Sequence, residues 1–146
     1  MSENTPTNNL YAFQEWLEGK ISAVLPEGID ILCRRKGNTE SDVANALASI
    51  GIVVVVEPPL PKSWSKTFLL KADEVESQVH ILENVLLQNT QETAYSLLAT
   101  LAKALHEERC DELGASLLTL GEVVDASPAD EPIIHFVLPI TNALNL

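Results

Sequence analysis

The stretch GIVVVVEPPLP, Gly51–Pro61, sets five β-branched residues in a row between a glycine and a cluster of prolines. A strand with apolar side chains on both faces is the pattern of a central strand covered on both sides, and proline cannot donate to a continuing ladder. Such a strand needs one layer above it and one below. Amphipathic helices of the same chain supply the first; a second sheet, another helix or a neighbouring subunit must supply the second.

Upstream, Asn8 or Asn9 caps a first helix whose apolar stripe is Leu10, Phe13, Leu17, Ile21 and Val24, widened by Trp16 and closed by Pro26 and Gly28. Glu15, Glu18 and Lys20 are expected to face water. A short strand, Ile29–Cys33, then runs into the basic triplet Arg34, Arg35 and Lys36, read either as a solvated turn or as a patch for an anion or an acidic partner. Ser41 is the expected cap of a connector helix that Gly51 stops.

Downstream, residues 58–66 (PPLPKSWSK) read as a proline-rich arm or loop, a stiff linker or a peptide ligand, with Trp64 between Lys62 and Lys66. From Thr67 to near Asn84 the pattern alternates: Val75, Val79 and Ile81 lie on one side, with Glu76, Gln78 and His80 on the other. His80 has no metal-ligand neighbour at a telling spacing and reads as ordinary surface. Asn89 and Glu92 are the expected capping pair of a helix with the stripe Ala94, Leu97, Leu98, Leu101 and Leu105. Leu117–Val124 and Ile133–Ile140, the latter stopping around Pro139, form a closing antiparallel pair joined by an aspartate-rich loop. The expected architecture is one α+β domain over residues 1–146, with a flexible N-terminus (1–8) and a mixed or antiparallel sheet carrying two main helices on one face.

Composition bounds the function. The 146 residues, 46% hydrophobic and 21% charged, describe a globular chain, and a net charge of −12 argues against general nucleic-acid binding. Cys33 and Cys110 are the only cysteines and lie outside any ligand pattern, as expected of reduced thiols in a chain made in a cytoplasm. The opening MSENTPTNN is polar and unbasic, so no export signal is expected, and the apolar run Ile52–Val56 is far short of the roughly 20 residues that span a bilayer. Glycine-rich phosphate loops, HExxH, CxxC and GxSxG motifs are all missing from the sequence. Neighbouring acids such as Glu107 and Glu108 do not face a common cleft as an acid–base pair must. No enzyme, metal site or cofactor is expected.

A helix ending in proline, a strand with RRK, GIVVVVEPPLP, the alternating strand closing in VHILEN, the helix TAYSLLATLAKALHE and a terminal strand pair together resemble, from Leu10 to Leu144, a small tail protein of long-tailed bacteriophages. The resemblance is greatest to the tail terminator, also called the tail completion or tail-to-head joining protein. It implies a structural virion protein of the tail or neck that forms a homo-oligomeric ring, usually a hexamer. The ring would cap the tail tube, meet the tube protein and the head–tail connector, and let DNA pass without specific binding. Another neck or tail component, such as a connector adaptor or tube subunit, and a cytosolic binding module using the arm around Trp64, stand as alternatives.

A ring built head to tail needs two unlike patches on each subunit. Six of the nine basic residues lie between Arg34 and Lys71, whereas the span Glu107–Glu131 holds eight acids. Both spans also suit merely solvated faces. The expected contact set is Arg34, Arg35, Lys36, Lys62, Trp64 and Lys66, because arginine and aromatic side chains dominate interface energies. Asp125, Asp130 and Glu131 are the candidate channel acids, since like charge repels phosphate.

Overall fold

The computed structural model describes residues 9–66, 70–87, 91–113 and 115–146; the N-terminal segment 1–8, with Asn8, and the capping residue Asn89 lie outside them. Helix α1, Asn9–Val24, buries Phe13, Leu17 and Ile21 on the expected stripe. It also buries Gln14 and Glu18, so Glu18 does not face water. The Asn9 side chain does not cap the helix; it donates to the carbonyl of Asn145 at 2.7 Å.

Strand β1 (Asp30–Cys33) pairs in parallel with β2 (Ile52–Val56). Parallel neighbours need a crossover, and α2, Glu40–Ser49, provides it. Its cap is Thr39 rather than Ser41, with the Asp42 carboxylate accepting from the Thr39 N–H at 2.8 Å. Thr39 wins because a threonine three residues before an acid satisfies two free amides reciprocally, and Ser41 already sits inside the first turn. Gly51 ends this unit at φ 95°, and a Cβ there would lie 2.6 Å from the Leu87 carbonyl oxygen, so only glycine fits.

β2 is buried along its length apart from half-buried Val55. Ile52, Val54 and Val56 point into the main core under α1 and α3 (Ala94–Leu105), while Val53 joins Ala46 and Leu47 of α2 on the opposite face. The second layer that the valine run demanded is thus the short helix of the same chain. Two main helices do pack on one face, and α2 covers part of the other.

The proline-rich stretch is a correction. Leu60–Lys66 is not a free arm or loop but strand β3, antiparallel to β4 (Leu70–Asn84). β2 and β3 run end to end along β4, Val56 opposite Val79 and Leu60 opposite Glu76, broken only at Glu57–Pro59. The prolines interrupt the ladder without ending it, because polyproline and β backbones are neighbours in dihedral space and β3 is an edge strand that pairs, among the described residues, with β4 alone. Register shifts flank Ser63, beside Pro61, and relieve its missing N–H.

β7, Ile133–Asn145, continues five residues beyond Ile140 and pairs with β4 over nearly its whole length. Pro139 does not stop it: its carbonyl accepts from the Gly121 N–H at 2.8 Å, so its absent N–H points to the outer side. There the expected strand Leu117–Val124 shrinks to β5 (Thr119–Leu120) and β6 (Val124–Asp125), leaving the gap that Pro139 requires. A Cβ on Gly121 would lie 2.8 Å from the Pro139 ring. The sheet order is β1-β2-β4-β7-β5, with β3 also on β4 and β6 also on β7. For α3, Thr93 is the N-cap and its partner is Ser96. Glu92, expected in the capping pair, accepts instead from the Ser96 hydroxyl at 2.8 Å.

Candidate functional site

Alternation along β4 gives its two faces different fates. Val75, Val79 and Ile81 are fully buried beneath α1 and α3. The other face carries Glu76, Gln78, His80 and Leu82, and α2 covers only its Leu82 end. Beyond α2 lies a cavity of about 310 Å³ with Leu32, Val43, Val55 and Leu82 as its apolar lining and Arg34, Glu40, Glu57, His80 and His135 among its polar residues.

The two histidines are brought together by strand register. His80 lies opposite Val137, and His135 lies opposite Leu82, two residues along each strand and so on the same face. The His80 Nδ1 and His135 Nε2 atoms are 2.8 Å apart, a hydrogen bond in which one neutral ring donates to the other. Among the described residues the buried His80 Nε2 has no hydrogen-bond partner, and it stands 3.8 Å from the Glu57 carboxylate, beyond hydrogen-bond reach. Burial, then the His135 and Arg34 charges, lower the His80 pKa against the opposing pull of Glu57. Burial likewise lowers that of His135 against Asp125. Sequence spacing could not find this pair, because 55 residues separate its members and only the β4–β7 register joins them.

The basic triplet divides three ways. Arg34 reaches outward, its side chain 70% exposed and its Nη2 3.6 Å from a Glu57 oxygen. Arg35 turns inward, forking onto both Glu18 oxygens, donating to the Tyr11 hydroxyl at 2.8 Å and stacking over the Tyr11 ring. It therefore fastens the β1 end to α1 rather than facing a partner. Lys36 is exposed and 3.6 Å from Glu18. Burial alone would raise the Glu18 carboxyl, but the Arg35 hydrogen bonds and charge hold it below its usual value. The neighbouring Cys33 thiol is pushed up to about 11 by burial and then by Glu18. Cys33 and Cys110 are both buried and not joined in a disulfide.

The other predicted contacts lie on the β3–β4 ribbon. Lys62 is ion-paired to Glu76. Trp64 and Leu70 are 51% and 42% exposed near the ribbon's end, with Lys66 and Lys71 also exposed beside them. The ribbon end and the cavity lie at different ends of β4. Asp125, Asp130 and Glu131 are exposed on β6 and the turn leading to β7, and the Asp125 carboxylate accepts from the Ser127 N–H at 3.0 Å.

Among the described residues no helix is long and apolar enough to cross a membrane, and no three His, Cys, Asp or Glu side chains converge as metal ligands. No protein-family profile matches the chain, and no curated protein matches it in sequence.

Proposed function

We propose that this chain is a structural subunit of a phage tail, a terminator that assembles head to tail into a ring, caps the tube and meets the head connector. One observation carries the reading: a single sheet presents two unlike apolar surfaces toward opposite ends of β4, one exposed and one half-buried. One is the Trp64–Leu70 ribbon end with its lysines; the other is the half-covered α2 face with Glu40 and Glu57 at its rim. Unlike surfaces on one subunit favour heterologous contacts, which close into rings when the rotation allows. The order of elements that carries the resemblance to tail terminators supports the same reading. No catalytic step is assigned to the His80–His135 pair.

In such a ring the acids Asp125, Asp130 and Glu131, exposed along the β6 side of the sheet, are our candidates for the channel wall. There their charge would keep passing DNA from adhering. Negative-stain electron microscopy with mass photometry tests the proposal. Closed rings of uniform subunit number are expected, from the protein alone or once tail tubes are added. A chain that stays monomeric both alone and with tubes ends the reading.

A further inference from the structure

We propose that the cavity on the α2 face is the socket for the Trp64 end of the ribbon of a second copy of this chain. The proposal rests on the head-to-tail reading above and names the contact that would make it.

The occupant's chemistry follows from what the cavity offers. About 310 Å³ is at the low end of the roughly 300–1,000 Å³ typical of ligand pockets, the size for one large side chain rather than a peptide. Leu32, Val55 and Leu82 give it an apolar lining. An indole brings a large apolar body and a single N–H that seeks an acceptor when buried; the Glu40 and Glu57 carboxylates supply acceptors at the rim. Arg34, 70% exposed and ion-paired to Glu57 at 3.6 Å, would exchange that contact for the ring face as a cation–π partner. The balance of charge is complementary: Lys66 and Lys71 outnumber Asp73 around Trp64, and Glu40 and Glu57 outnumber Arg34 in the cavity lining.

The same molecule cannot make this contact with itself. Trp64 pairs with Ala72, eight residues along β4 from His80, or about 26 Å at 3.3 Å per residue. Nor does β3 invite a partner strand. Pro61 and the register shifts around Ser63 blunt its outer edge, one of the devices by which edge strands resist backbone pairing. A side-chain plug in another copy's socket leaves each copy with one plug and one socket, the condition for a closed ring.

Native mass spectrometry of full-length variants, under the conditions in which the wild-type chain assembles, tests the contact. W64A keeps the socket and loses the plug; E40K/E57K keeps the plug and reverses the socket's rim. V55E is a second socket variant, with circular-dichroism melts to check folding. Each variant alone should lose ring formation, with association weakened at least tenfold. An equal mixture of W64A and E40K/E57K should give one-to-one dimers and nothing larger, because only one plug still meets one intact socket. Wild-type-like rings from E40K/E57K and from folded V55E would overturn the socket while leaving the ring reading intact. A wild-type chain that never assembles, alone or on tubes, would overturn both.

Discussion

The two faces of β4 share one backbone and differ in almost everything else. Toward α1 and α3, Val75, Val79 and Ile81 are wholly covered and the cluster extends from Phe13 to Leu144. Toward α2, a smaller cluster around Ala46, Leu47 and Val53 covers one end and gives way to the histidine-lined cavity. A strand can therefore spend one face on stability and leave part of the other available for contact. The difference is set by helix length, since the 10 residues of α2 cannot span what the 16 of α1 and 12 of α3 do.

Substitutions should separate the faces by size of effect. Leu101→Ala, fully buried, should lower unfolding free energy by about 2–5 kcal/mol in urea titrations, the range for emptying a core leucine site. Glu18→Gln should cost about 2–3 kcal/mol, below the usual buried-pair range because the Arg35 side chain keeps 15% exposure. A smaller loss would show that Arg35 finds solvent when freed. Gly51→Ala should cost about 1–3 kcal/mol, combining a positive φ with the approach to the Leu87 carbonyl; an unchanged melting temperature would show that the α2–β2 joint yields.

The half-covered face should reveal itself through pH. His80 and His135 have folded pKa values below the ordinary 6.5, so the unfolded chain binds protons first. Their contribution is whole above about pH 6.5 and is lost as pH falls below it. Glu57 and Asp125 oppose this shift and Arg34 reinforces it. H80Q/H135Q should flatten the stability slope between pH 7 and 5. Glu18, whose pKa is lowered from 4.5, produces a separate loss as pH falls below that value, and the double variant should leave it in place. The least change in stability is expected for Trp64→Ala, within about 0.5 kcal/mol as for other exposed positions, although assembly should fail. A large loss of stability would move Trp64 from the contact surface to the fold.

Periodicity located the elements well where one face is buried. The stripes of α1 and α3, the alternation of β4 and the double burial of β2 all follow from spacing, since burial repeats every 3.6 or 2 residues whatever the partner. It failed where pairing overrides composition. The PPLPKSWSK segment became a strand because β4 offered it a ladder, and Pro139 sits inside β7 because its missing N–H points into the β5–β6 gap. Glu18 was misplaced because a carboxylate on a helix flank reads as solvated until an arginine from another element arrives to pair with it. Of the candidate site, the exposed Trp64 and its lysines were visible in the sequence, but the cavity and its histidine pair were not.

Five consecutive β-branched side chains leave neither side of a strand polar, so the composition of GIVVVVEPPLP already required cover on both faces. What does the covering was settled by packing in three dimensions. Ile52, Val54 and Val56 went to α1 and α3, Val53 to α2, and Val55 to the edge of an open cavity. Chain pattern encodes a side chain's need for burial, whereas its partner depends on where the crossover helix ends and which strands come into register, distances in space that spacing along a chain does not contain.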